Sequence, residues 1–530
     1  MAGVLKTSTL AAPGFYGLNS QESGITLESG YALTAANCVI DKYGRLGARR
    51  GWRKITTDNS TLADTDTIDG IFEFKNVDGN ITYLSAGGGK LFTGLDTLTE
   101  YKVRDFLNTG DISVSFTANK WKWAALPAGA GANAEGKAFA VQGGNPFLVW
   151  NKVTGNYIYQ RLADVGSVPT GYSATTFDPN EILTSFGRVW VADLSGNKTT
   201  VFYSVILDGT DFDGVGSGFL DISSKVGNND EIVALANHNG YLIIFCKNNI
   251  VVYSNPDDTN NLQIADVISG VGCVCRDSVQ ATGNDIIFLS KSGVRSLSRT
   301  IQEKSMPMRE LSLNIRDTLV EYLGNETDVS NIKSAYFERD AFYILSIPSL
   351  NEIICFDTRT ALPNGAARVT TWEGLNYSSF CATSDRRLLL GVPGAIAEYY
   401  GYTDNEASFR MRYFTTYFDF GSATTLKLLK QIALISIGGS GQDFVVKYGF
   451  DYSSSFTSQP LKLSNNAIIA EYNISEYAIG EYSGGIVAEK VKVNAGGSGT
   501  VLQLGFEAEI QGYPLSIQKI DCFVKTGKIL

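Results

Sequence analysis

The chain has 530 residues, enough for several domains or one large toroid. An apolar fraction of 44% supplies a sizeable core, and a net charge of −10 argues against nonspecific duplex binding by the whole surface. With 55 Gly, 26 Tyr and 28 Phe, the composition is that of an all-β chain with many tight turns.

Residues 1–18 read as a loose arm of small and polar residues. The opening MAGVLKTSTLAAPGF lacks the apolar core of a signal peptide, and no run reaches the roughly 18 apolar residues of a membrane span. Cys38 to Asp41 and Arg45 to Arg50 form an expected hairpin, with Gly44 in its left-handed turn position. Arg45, Arg49, Arg50, Arg53 and Lys54 make this the most basic stretch of the chain. The plain reading is a solvated hairpin edge. The functional reading is a docking strand that meets an acidic partner, with Asn19, Asn37, Arg45, Arg49, Arg50, Trp52 and Arg53 as the candidate interface. On that reading, reversing the charge of Arg49, Arg50 and Arg53 leaves the fold intact.

Gly17-Leu18-Asn19, Leu27, Gly30, Ala32, Asn37, Gly44-x-Leu46 and Arg49/Arg50-Gly51 form a pattern. It resembles the opening of tail nozzle, or tail hub, proteins of short-tailed bacteriophages, including the tail tubular protein B family. The resemblance covers about 35 residues. It implies a structural subunit with no catalytic constellation. Such a subunit forms a ring of six copies below the head-side adaptor, encloses the DNA ejection channel, and anchors tail fibres or spikes in the virion. Its partners are then copies of itself, the adaptor, the fibres, and translocating duplex held without sequence-specific contacts.

From Ile71 the chain reads as small antiparallel sheets. IFEFKNVDGNITYLSAGGGKLFTG carries a hairpin turn at Asp78-Gly79. Residues 97–136, with the glycine-rich stretch Ala128 to Gly136, read as an inserted loop presenting Trp121 and Trp123. Those two rings are the candidate exposed feature of an alternative function, a propeller that binds or cleaves host-surface glycans. Asp208, Asp211 and Asp213-Gly214 resemble part of a calcium loop, but Leu220 stands where its last carboxylate is needed, so a solvated acidic turn is expected.

The clearest unit is IVALANHNGYLIIFCKNNIVVYS, beginning at Ile232. Asn239-Gly240 is a strong hairpin signal, because both central residues of a type I′ turn need positive φ. Its middle strand, Tyr241 to Cys246, is apolar on both faces, so both faces of the sheet need cover. Further units begin near Ala138, Ile182, Val279, Ile332 and Tyr377, at spacings of roughly 44 to 53 residues. That period points to a β-propeller of about seven blades spanning 61–405. Cys273 and Cys275 read as small core residues, and the stretch from Pro307 to Gly324 as a helix on the rim.

After Glu406 the strands lengthen, and 406–530 reads as a separate antiparallel sandwich or barrel, with residues 1–60 as a docking or closing arm. Phe418-Asp419-Phe420-Gly421 with Lys427 and Lys430, and Gly512, Ile517, Ile520, Lys525 and Gly527-Lys528 near the end, are similar to the nozzle family's C-terminal part. The one histidine, His238, sits at a hairpin turn, a poor place for an oriented base. No enzyme activity, cofactor or metal is expected.

Overall fold

The computed structural model describes residues 5–58, 61–117, 120–127, 135–227, 230–297, 310–439, 441–463 and 488–529. Small antiparallel sheets follow one another around an axis, each packed face to face on the next. Six of them reach the four strands of a propeller blade, against the expected seven or so. Blade 1 holds Ile68–Lys75, Ile81–Gly87, Lys90–Thr93 and Thr99–Tyr101. Blade 2 holds Lys122–Leu126, Lys137–Val141, Leu148–Val153 and Asn156–Arg161, with Val103–Arg104 and Asp111–Ile112 added outside. Blade 3 spans Glu181–Ser185 to Gly218–Asp221, and blade 4 spans Ile232–His238 to Gln263–Ser269. A sheet with three described strands, Gln280–Ala281, Ile286–Ser290 and Gly293–Ser296, takes the next place. Blade 5 begins at Lys333–Phe337 and blade 6 at Ser379–Ala382. The innermost strand of blade 6 packs on that of blade 1, which closes the ring.

Blade 4 shows why the fold is possible. Along Tyr241–Cys246, Leu242, Ile244 and Cys246 join Trp190, Ala192 and Val201 of blade 3 in one core. Ile243 and Phe245 point the other way and join Ile286 and Phe288 of the three-stranded sheet. Strand side chains alternate between faces, so a strand apolar throughout is a strand with neighbours on both sides. The turn Asn239-Gly240 has φ of 49° and 82°, as a type I′ hairpin requires.

Three expectations are corrected. Trp121 and Trp123 are 5% and 7% exposed and stack on each other in the core between blades 1 and 2. Segment 97–136 is therefore not a simple insert. It completes blade 1 and supplies the innermost strand of blade 2, which starts at Lys122 rather than near Ala138; most of Ala128 to Gly136 lies outside the described residues. The helix runs over Arg316–Asn325, its Leu319 buried in one cluster with Leu311 and Ile315, and part of its expected N-terminal stretch also lies outside the described residues.

The N-terminal region is not a loose arm. Strand β1 (Leu5–Ala11) pairs with Leu515–Ile529, and β2 (Gly17–Leu18) lies parallel between β3 (Tyr31–Ala36) and Arg368–Glu373 of blade 5. The hairpin of β4 (Cys38–Ile40) and β5 (Leu46–Ala48) forms as expected, with Gly44 at φ 72°. Strand β6 (Trp52–Lys54) becomes the outermost strand of blade 6. The C-terminal strands do build a sandwich, but not a separate one. Its first sheet contains β4 and β5. Its second is continuous with blade 5 through β2 and β3, giving one ten-stranded sheet. The two sheets enclose a core of Phe15, Met411, Tyr413, Leu434, Phe444 and Phe506 among others. In Phe409–Phe418 the buried Phe409, Met411 and Tyr413 alternate with Arg410 and Arg412, the period-two pattern of a half-buried strand.

Candidate functional site

The residues singled out at the N-terminus converge on one place, the joint between propeller and sandwich. Asn37 takes a left-handed φ of 55° between β3 and β4. Its side-chain oxygen accepts from the Glu373 backbone N–H at 3.0 Å and from Arg49 Nε at 2.9 Å. Its Nδ2 donates to the Arg410 carbonyl at 2.9 Å. One carboxamide thus ties the N-terminal segment to blade 5 and to the sandwich.

Arg49 completes the tie. It is 0% exposed, and its guanidinium donates to both oxygens of Asp404 at 2.8 and 2.6 Å. It also lies 4.0 Å over the Phe409 ring. Parallel two-point binding of a carboxylate is the arrangement a planar guanidinium makes best. Gly51 packs so close to Thr403 that an added Cβ would overlap that residue's backbone carbonyl, and Gly17 meets Val369 in the same way. A side chain at either position would force two backbones apart.

The other arginines of the stretch also find acids within the chain. Arg45 Nε reaches Asp41 at 2.6 Å. Arg50 lies 3.9 Å from Asp340. Arg53 donates to Glu398 at 2.9 Å and covers the Tyr400 ring at 3.8 Å. Burial opposes charge on Glu398, yet hydrogen bonds from Arg387 and Arg53 hold its carboxyl below the usual range. Within the chain, Asp41, Asp340, Glu398 and Asp404 are the acids these arginines meet. Asn19 is 1% exposed, with its side-chain oxygen capping the Gln21 N–H, and Trp52 is half-buried in β6. A basic stretch that looked like a docking edge is largely internal mortar, with Arg53 the most exposed of that stretch's paired arginines at 55%.

A second cluster links the entries to several of the sheets. Its members stand at or just before innermost strands. Arg276 donates to Asp277, to the Asn180 carbonyl before blade 3, and to the Lys120 carbonyl before blade 2. Lys333 also binds Asp277, and Lys122 binds both oxygens of buried Glu181 at 2.7 and 2.8 Å. Burial opposes charge on Asp277, yet Arg276 and Lys333 hold its carboxyl far below the usual range. Burial pushes Glu181 up, against the pull of Lys122. The only signal for this cluster was the charged pair Arg276-Asp277 inside an otherwise apolar and small-residue run.

The remaining candidates are structural. Cys273 and Cys275 are buried, with thiols donating to the carbonyls of Cys275 and Ile332. Asp211 accepts from the Ser167 hydroxyl and from the backbone N–H of Asp213 and Gly214, which makes a turn rather than an ion site. Among the described residues no group of three or more His, Cys, Asp or Glu could hold a metal. His238 ends the first strand of blade 4 and touches Asn239. Lys427 is buried in the sandwich, where it donates to the carbonyls of Ser422 and Thr500.

No family model and no curated protein matches this sequence. Among solved structures, the extracellular domain of a one component system from B. thetaiotaomicron is similar at 11% identity, over 83% of this chain and 59% of that one, with a TM-score of 0.40. The Neurospora crassa Pan2 WD40 domain is similar at 9% identity over 66% and 96%, with a TM-score of 0.35. PorZ of Porphyromonas gingivalis is similar at 11% identity over 69% and 42%, with a TM-score of 0.36. At these scores it is the strand pairing within this chain that defines it: an all-β protein built as a β-propeller joined to a sandwich.

Proposed function

We propose that the chain is a ring-building structural subunit of a short phage tail, a nozzle or hub. It stands in about six copies below the head-side adaptor, surrounds the DNA ejection channel, and carries fibres or spikes outside. The work is done by interfaces, without a catalytic constellation or cofactor. One observation supports this reading above the rest. Four residues of the nozzle-like pattern, Gly17, Asn37, Arg49 and Gly51, are used as architecture in a single joint. That joint makes propeller and sandwich one body through a shared ten-stranded sheet. A subunit that must hold its place under load in a ring needs such a stiff connection. Ring closure requires a heterologous interface, in which two different surfaces of the chain meet.

The test is an image of the purified chain, alone and mixed with its adaptor. Closed rings with a central opening are expected in the mixture. A strict monomer in both samples, by mass photometry and by electron microscopy, would overturn the reading. The alternative glycan reading loses its original support, because Trp121 and Trp123 are core residues of the propeller.

A further inference from the structure

A cavity of about 690 Å³ opens on the propeller where the ring closes. Its walls come from several separate places in the chain. Asp69 lies on the innermost strand of blade 1. Asn331 precedes blade 5, Asn351 sits in a turn of that blade, and Asn376 lies on the connection to blade 6. Trp52 of β6 and Leu375 add apolar surface. The volume is that of a small-molecule site, and the mix of apolar wall with a few placed polar groups is what such sites share.

The polar groups decide the class of ligand. Asp69 is 9% exposed, and one of its oxygens accepts from the Thr67 hydroxyl at 2.6 Å. No cation pairs with it among the described residues, since Lys333, the nearest in influence, is held by Asp277. Burial pushes the Asp69 carboxyl up to about 6, against the Thr67 hydrogen bond and the pull of Lys333. Asp404, also in the wall, is held by Arg49. Around the rim Asn331, Asn351 and Asn376 are exposed, and their side chains make no hydrogen bond to another described residue. Each carboxamide offers donors and an acceptor together.

A buried acceptor on the floor, mixed donors and acceptors at the rim, and a half-buried indole beside them match a neutral polyhydroxylated ring. Hydroxyls both give and take hydrogen bonds, and the less polar face of such a ring packs on an aromatic. A cation suits the site less well, because Lys333 already acts on Asp69. An anion would face Asp69 itself. We propose that this cavity binds a neutral saccharide, with Asp69 accepting from its hydroxyls and Asn351 and Asn376 holding its outer edge. This is a different place from Trp121 and Trp123, and it stands independently of ring assembly: its test reads ligand binding, whereas that of the proposed function reads stoichiometry.

The full-length chain is titrated calorimetrically with glucose, galactose, N-acetylglucosamine and their β-linked disaccharides, and with arginine and inorganic phosphate as charged controls. One or more neutral sugars should bind one to one, with Kd of about 1 mM or tighter. Asn376→Ala, a change at an exposed position that leaves the fold alone, and Asp69→Asn should each weaken that binding about tenfold. No heat from any sugar up to about 10 mM would overturn the proposal. So would binding of arginine or phosphate in place of sugar, or sugar binding that both variants leave unchanged.

Discussion

Two glycines separate the kinds of order in this molecule. Gly240, in the blade 4 hairpin, has φ of 82° and open space around it. Gly51, in the joint, needs no left-handed backbone but has Thr403 pressed against it. The first serves a turn closed by its own neighbours. The second serves a contact between segments some 350 residues apart. Blade hairpins are local devices repeated around the ring, whereas the joint is made once, from distant parts of the chain. Damage to a hairpin should therefore stay in one blade, and damage to the joint should loosen both halves.

The largest effect is expected from Arg49→Ala. It strands Asp404 and removes the donor from Asn37, and breaking a buried pair of this kind costs about 3 to 4 kcal/mol. Urea unfolding should show it, together with lost protection against hydrogen exchange in both propeller and sandwich. Loss confined to one half would mean that the joint does not couple them. Gly51→Ala comes next, at about 2 to 3 kcal/mol, because the backbone of Thr403 cannot move aside as a side chain could. A smaller loss, about 1 kcal/mol, is expected from Gly240→Ala, through the unfavourable left-handed conformation alone. Its exchange signature should be limited to blade 4; a global loss of protection would erase the distinction. Smallest is Arg53→Ala. Its side chain is 55% exposed, so the change should cost less than about 1 kcal/mol and shrink further in salt.

The same contrast explains what could be read in advance. Blade starts at Ile182, Ile232, Val279, Ile332 and Tyr377 were legible within a few residues, because alternation and turn chemistry are local. Blade 2 was misplaced because its innermost strand, Lys122–Leu126, is cut off from the next by the glycine-rich stretch after Pro127. Trp121 and Trp123 lie two apart and so share one face, a signal of burial that the surrounding loop-like composition masked. The destination of the arginines was not legible at all. Arg49 finds Asp404 at a separation of 355 residues, and nothing near Arg49 announces that partner. The cavity at the ring closure was hidden for the same reason, since Asp69, Asn331, Asn351 and Asn376 meet only when the first and last blades do.

The cluster of Arg276, Asp277 and Lys333 has a mechanical consequence. In it a guanidinium is bonded to its own neighbour Asp277 and to the two segments that enter blades 2 and 3. It acts as a keystone: a pull on one blade is shared with those across the ring. Were copies of this chain to stand around a duplex, the duplex would run between neighbouring copies and not down the middle of any one. Each chain would then be a stave of the barrel, and the diameter of the passage would be set by how many staves are fitted together.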